Sequence, residues 1–504
     1  MPEAENYWSL LNKSMSLLRK SIDGFFWNHL GKITDIGLTY LLSLIIARMM
    51  VPHDYGGYVA TMSIAALLIL IVSGGFDDTL VKYVSQYNAE KKYQNIRSLT
   101  LFLFKLRTLI ILIVCIIFYF FKDEIKVIFN NPYAAKYAVY IISYISFQSF
   151  INFLSSYFIA HFKTALIFFI NFLSRLTTIG ITVVLLYSGY GLLELLTLYS
   201  IIGVLTFFVL IIFLNKSLSK EKGELEYQSV LSFSISIYFN SIIALLLGKY
   251  AGILLLSHHL GAVSDVAYFD IGYSLEVMIE SLFALGFTGI GLSVASELAT
   301  KDKSKLHYAR KIVIQYFQLV IIPVSIFCIL FAEKIITLLY SDKYLAAAPV
   351  FRTFLSINII AVALFARDFN ATILFSLKQE NKVLAVRLCI GILSVIINYL
   401  FIPYYKIVGA IAVIGSSFVL STIIEYYLAS YYIGYTYDYV FLLKISISSF
   451  IAVSCIVLLS SSITSIILLS LIYLCLLGVC FGIFKIYKTD LIQIIFRHLN
   501  FKIL

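Results

Sequence analysis

Nine charged side chains fall inside stretches apolar enough to cross a bilayer: Lys32, Asp35, Arg175, Lys249, Glu276, Glu280, Arg367, Asp368 and Glu425. A charge at the bilayer centre costs roughly 2.5 to 3.5 kcal/mol on insertion scales, so one that persists tends to face a protein-lined, wet interior. The four basic residues together represent on the order of 10 kcal/mol before pairing, which is much to retain for packing alone. Set inward, Arg and Lys are natural ligands for an anion. The plainer reading makes them partners of nearby carboxylates, or snorkelling ends. Tyr273, Glu276 and Glu280 lie at spacings of three and four and form one polar stripe on a helix. Two carboxylates one turn apart repel when both are ionised, so one can take up a proton or, with neighbouring oxygens, a sodium ion. Alternatively, each pairs with a basic residue from elsewhere, such as Arg175, and acts as a gate; Asp35 and Asp368 are candidates for the same coupling or gating roles.

The elements that must position these groups begin with Trp27 to Tyr58, WNHLGKITDIGLTYLLSLIIARMMVPHDYGGY. Asn28, Lys32, Asp35 and Thr39 recur at spacings of four, three and four, which puts them on one helix face. Lys32 and Asp35 form either a self-neutralising pair near the interface or part of a polar seam lining a cavity. Arg48 stands at the far end of the same crossing. Further on, Arg175 shares a face with Asn171 and Thr178, which turns it inward.

Composition sets the class. A chain of 504 residues that is 61% hydrophobic and 13% charged, with a mean hydropathy of +0.95, is a polytopic all-α membrane protein. A crossing needs about 20 apolar residues, and fourteen are expected: 27–49, 57–76, 100–121, 137–159, 164–187, 192–214, 229–256, 266–297, 311–331, 351–376, 383–402, 408–432, 441–460 and 463–484. Pro323 should kink the ninth. Before the first, residues 1–26 carry an apolar stripe of Trp8, Leu11, Met15 and Leu18, as in a helix lying on the membrane surface. No cleavable signal with a short apolar core is expected there. The loops are short; that from Asp77 to Arg97 has room for a helical turn or two but for no catalytic domain.

The net charge of +11 follows topology. Segments on the N-terminal side of the membrane hold 26 Lys and Arg and those on the opposite side hold 8, which places both termini in the cytoplasm and leaves no role for nucleic acid. The six cysteines lie in apolar spans without ligand spacing and read as packing residues, with no metal site or disulfide.

Sliding the chain by 210 residues lays LLSLIIARMMVPHDYGGY over AGILLLSHHLGAVSDVAY, and FKDEIKVIF over FAEKIITLL. Six helices separate the copies, so both run in the same direction. The expected organisation is an N-lobe over 27–214, a linker over 215–228, a C-lobe over 229–432, two further helices over 433–484 and a cytoplasmic tail over 485–504. Parallel repeats of this kind belong to alternating-access transporters with the substrate between the lobes. Coincidence between loops is the competing explanation.

LIIARMMVPHDYGGYVATMSIAALL followed by GGFDDTLVKYVSQYNAEKK resembles the opening of the polysaccharide exporter family, the O-antigen flippases of the Wzx type. INYLFIPYYKIVGAIAVIGSSF resembles that family's eleventh and twelfth helices, with Asn398 and the pattern through Ile402, Pro403, Val408, Gly409 and Ala410. The likeness runs from about residue 24 to 480. It implies the fold of the multidrug/oligosaccharidyl-lipid/polysaccharide exporter superfamily and a lipid-linked oligosaccharide as cargo, with polysaccharide-assembly proteins as further partners. A diphosphate headgroup would then account for Lys32, Arg48, Arg175, Lys249 and Arg367 as substrate ligands. Many relatives carry an aspartate late in the seventh helix where this chain has Gly252, and the second-lobe counterpart of Arg48 is His258.

The sequence contains no GxxxxGK[ST] loop, hence no built-in ATPase. Asp77 and Asp78 could suggest a membrane glycosyltransferase or polymerase, but they lie on the cytoplasmic side and no large outer loop accompanies them. The reading is a transporter with no catalytic residues and no cofactor beyond a coupling H+ or Na+. The alternatives are a cation-coupled drug extruder of the same superfamily, or a glycosyltransferase or polymerase.

Overall fold

The computed structural model of the chain describes residues 27–218, 221, 223–259, 263–284, 295, 303–435, 437–459 and 465–486. The surface stripe expected over 1–26, most of the tail and much of the eighth crossing lie outside the described residues. Among those described, every regular element is helical. This is what a bilayer demands, because backbone groups in hydrocarbon must be satisfied within the segment. Twelve helices are long and apolar enough to cross a membrane. One of them, Glu380–Ile433, is 54 residues long and breaks at Lys406 (φ 49°, ψ −133°), so it supplies the expected eleventh and twelfth crossings. Val263–Ala284, the described part of the eighth crossing, is not among the twelve; it carries Asp265, Asp270, Glu276 and Glu280. The chain is a multi-pass membrane protein.

The chain packs as two compact units, Met1–Leu245 with Ser257–Ser264, and Leu246–Leu256 with Asp265–Leu504. In the first, α1 (Trp27–Met49) and α2 (Pro52–Ser73) are followed by α3 (Phe76–Ala89). Pro52 opens α2 at a position where its missing N–H costs nothing, five residues before the expected start. Gly74 and Gly75, with φ of 55° and 71°, turn the chain into α3 through a left-handed step that other residues rarely take.

A charged loop is expected over Asp77 to Arg97, but the structure has four turns of helix there. The reason is a stripe: Phe76, Leu80, Tyr83, Val84 and Tyr87 are all buried at helical spacing, in one core with Leu99, Leu103, Phe153, Leu154, Tyr157 and Phe158. The third crossing, α4 (Tyr93–Phe120), therefore starts seven residues earlier than expected and draws Arg97 into the helix that also carries Lys105 and Arg107. Two short helices, α5 (Lys122–Ile128) and α6 (Pro132–Lys136), lead to α7 (Ala138–Ala160), α8 (Thr164–Tyr187) and α9 (Leu192–Ser217).

The expected seventh crossing is two helices, α10 (Tyr227–Leu247) and α11 (Lys249–His259), parted at Gly248; α12 is Val263–Ala284. In the second unit, α13 (Lys303–Leu330) contains Pro323, whose carbonyl accepts from the Tyr473 hydroxyl at 2.9 Å. The tenth crossing is also divided: α14 (Ala332–Tyr340) precedes α15 (Ala348–Asn358), a π-helical segment over Ile359–Leu364, and α16 (Arg367–Ser376). Ala366, buried and left-handed at φ 47°, makes the break. After α17 (Glu380–Ile433), the final helices α18 (Tyr439–Leu459) and α19 (Ile466–Ile483) set Ala452, Val453, Ile456, Leu469, Tyr473 and Leu477 against Phe327 of α13 and Phe331 just beyond its end.

Candidate functional site

In the first unit, α1 and α8 enclose a cavity of about 200 Å³ lined by Asn28, Lys32, Asp35, Asn171 and Arg175, with Trp27, Phe168 and Phe172 as ring walls. All five of these polar groups come from the two faces read in the sequence. Thr39 and Thr178, assigned to the same faces, do not line it; Leu38 closes the α1 side, and the Thr178 hydroxyl bonds the Ser174 carbonyl at 2.8 Å. Arg175 Nε donates to Asp35 Oδ1 at 3.3 Å. Asp35 is thus bridged across helices and not to Lys32, so the self-neutralising pair gives way to a polar seam. Trp27 packs its ring 5.2 Å from Phe168 and 5.3 Å from Phe169. Thr164 also lines the cavity; it is 7% exposed and its hydroxyl makes no hydrogen bond among the described residues. Arg48 is exposed at the far end of α1 and takes no part in the lining.

In the second unit the polar stripe of α12 is longer than expected and each member has a partner. Lys249 Nζ donates to Asp270 Oδ1 at 2.9 Å and to Ser274 Oγ at 3.1 Å. Asn358 Nδ2 donates to Glu276, and Arg367 donates to Glu280 at 2.5 Å. The Asp368 side chain lies outside the described residues. Within the first unit Arg175 holds Asp35, and within the second Arg367 holds Glu280.

The three partners share a position in their own elements. Lys249 is the first residue after the break at Gly248, Asn358 the last before the π-helical segment, and Arg367 the first after Ala366. Helix breaks strand backbone groups and free the adjacent side chains from the helical raster. One acidic helix therefore pins both interrupted crossings at their interruptions. Asp270 has no counterpart in the stripe read from sequence, although its spacing of four to Ser274 was available as a signal.

Two further buried charges, Arg107 and Arg310, have no sequence signal, and Glu425, one of the nine intramembrane charges, has its partner in the same unit. Arg107, with no exposed side-chain area, donates to Asp77 at 2.5 and 3.1 Å and to Ser149 at 2.9 Å. Arg310, also fully buried, donates to Asn370, Ser430 and the Tyr426 carbonyl at 2.9 to 3.0 Å, with its guanidinium 4.3 Å from the Tyr426 ring centre. Glu425 is buried against Arg387 at 2.6 and 3.0 Å. These arginines serve packing within their units.

Gly252 has a steric cause. A Cβ there would stand 2.5 Å from Ile414 Cδ1 and 3.3 Å from Phe269 Cζ. Gly252→Asp is therefore expected to lower the thermal unfolding midpoint, not to add a coupling carboxylate, while Gly252→Ala shows the smaller steric part of the loss. Equal midpoints for wild type and Gly252→Asp would refute the packing argument.

Comparison with known proteins places this geometry. Residues 45–349 match the model of the family described as "Polysaccharide biosynthesis protein". An uncharacterised membrane protein of Methanocaldococcus jannaschii is 24% identical over 79% of this chain and 81% of its own length. Among solved structures, the lipid II flippase MurJ in an inward closed conformation superposes with a TM-score of 0.70 at 18% identity, over 96% of this chain and all of that one. An inward-facing multidrug resistance MATE transporter of the MOP superfamily gives 0.66 at 14% identity, over 79% of this chain and 94% of that one. At such identities the likeness is one of fold. With the family match spanning more than half its length, the chain belongs to the polysaccharide biosynthesis protein family, built on the fold of the MOP superfamily transporters.

Proposed function

We propose that this protein is a flippase, moving a polyprenyl-diphosphate-linked glycan from the cytoplasmic to the outer leaflet of the cytoplasmic membrane by alternating access, with both termini cytoplasmic. The observation that carries this reading is the cavity of the first unit, where Lys32 and Arg175 stand inside a membrane-spanning unit of a polysaccharide biosynthesis protein. A diphosphate is the anion such a pair suits, because Arg meets phosphate oxygens bidentately and Lys as a point charge. Asp35 holds Arg175 in place until the anion competes for it. Lys249 and Arg367, each tied to an α12 carboxylate, are the corresponding cations of the second unit. On this reading the protein transports and catalyses nothing, takes no cofactor beyond a coupling ion, and acts beside the proteins that assemble the polysaccharide.

The test uses proteoliposomes holding a polyprenyl-diphosphate oligosaccharide and a membrane-impermeant reagent that modifies exposed sugar. Glycan from the inner leaflet should become reactive only with protein present. Lys32→Gln or Arg175→Gln should slow this about tenfold or more, the scale of one lost charge-assisted contact, at unchanged protein content. Protein-independent reactivity, or full rates in both variants, would reject the reading. Efflux of lipophilic cations from the same vesicles without glycan movement would identify an extruder instead.

A further inference from the structure

We propose that the cytoplasmic end of the α1–α8 cavity is a sugar subsite, in which Trp27 and Phe168 form a ring platform and Thr164, Asn28 and Asn171 bind hydroxyls of the glycan's first residue, next to the phosphate-holding Lys32 and Arg175. It rests on the flippase reading and goes further by assigning a part of the cavity that no charge explains.

The order of residues along both helices carries the inference. From its N-terminal end α1 presents Trp27, Asn28, Lys32 and Asp35, and α8 presents Phe168, Asn171 and Arg175. Each helix thus presents a ring and an amide before its charge in the same direction, with Phe172 of α8 between Asn171 and Arg175, so the cavity has an aromatic and amide level followed by an ionic level. A hexose attached to a diphosphate has that order of chemistry. Its C–H faces are apolar and weakly positive and suit the negative face of an aromatic ring, its hydroxyls need donors and acceptors at the edge, and its phosphates need cations.

The second observation is Thr164. Thr164 lines the cavity, and its hydroxyl is buried with no hydrogen-bond partner among the described residues. A buried polar group without a partner costs about 1 to 3 kcal/mol, and a ligand hydroxyl at this place would satisfy it. A cavity of about 200 Å³ is small for an extended ligand, since drug-sized sites span roughly 300 to 1,000 Å³. It suits one ring and its phosphate, with the rest of the glycan outside.

The experiment measures binding of two probes to the full chain in nanodiscs: a polyprenyl diphosphate bearing one hexose, and the same polyprenyl diphosphate without sugar. Trp8→Phe leaves Trp27 as the sole indole reporter, because the chain has two tryptophans. The hexose probe should bind about tenfold tighter than the bare lipid, a specificity on the scale of one well-satisfied polar site, and should shift Trp27 emission. Thr164→Val and, in the native background, Trp27→Leu should bring the two affinities to within about twofold while leaving the bare lipid unaffected. Thr164→Ser should retain the preference, which excludes a folding defect at that position. Equal binding of both probes by the native chain, or an undiminished preference in Thr164→Val and Trp27→Leu, overturns the sugar subsite and leaves the flippase reading standing. Binding of neither probe overturns both.

Discussion

Replacing Arg107 with methionine is expected to destabilise the first unit by roughly 3 to 5 kcal/mol, the usual loss when one member of a buried ion pair is removed. The side chain has no exposed area, and it joins three elements: α4, which bears it, α3 through Asp77 and α7 through Ser149. Without it Asp77, 26% exposed, keeps only partial access to water, and Ser149 loses a donor. Asp77→Asn should cost less, since the amide still offers an oxygen to the guanidinium. The double variant Arg107→Met, Asp77→Leu should recover much of the loss, because the apolar pair no longer leaves a charge stranded. Lys105→Met, two residues away on the exposed side of α4, should change stability by about 0.5 kcal/mol or less. Unfolding midpoints of the purified protein in one detergent decide the matter. A wild-type midpoint for Arg107→Met would mean that the pair supports nothing.

Arg107 also marks where sequence reading stops. Hydropathy finds crossings because each must exceed the thickness of the hydrocarbon; of the fourteen spans expected, thirteen fall on helices long and apolar enough to cross among the described residues, and the eighth is described only in part. What it could not separate is a charge at the start of a helix from one in a loop: Arg107 and Arg310 entered the topology count as solvent-side residues and are fully buried. Their partners, Asp77, Asn370 and Ser430, lie 30, 60 and 120 residues away, beyond any local spacing rule. The polar seam of α1 and α8 was legible because i, i+3 and i, i+4 spacing survives intact in a straight helix. The α12 stripe was half legible for the same reason. Its partners were not, because each sits at a break, and nothing local in the sequence at Ala366 announces a left-handed residue. Glycine would have done so.

Those breaks give the second large effect. Glu276 and Glu280 are one turn apart on α12 and are expected to fail differently when neutralised, because their partners differ in charge. Glu280 faces the Arg367 guanidinium, whereas the partner of Glu276 is the neutral Asn358 amide. Glu280→Gln leaves a largely buried arginine beside a broken helix without its carboxylate, so transport should fall about tenfold or more and protein yield with it. Exchanging the pair, Glu280→Arg with Arg367→Glu, keeps one charge of each sign across the break and should restore both, as a latch requires. In the proposed coupling role Glu276 would trade a proton, or a sodium ion with the Asn358 amide oxygen as co-ligand, without disturbing the Arg367–Glu280 pair. Glu276→Gln should therefore preserve yield and leave a residual transport that no longer responds to collapse of the proton or sodium gradient. The Asn358→Leu variant should lose the same response, since it removes the amide that orients the carboxylate. Transport that still follows the gradient in Glu276→Gln would eliminate the coupling role, and a charge exchange that stays inactive at normal yield would eliminate the latch.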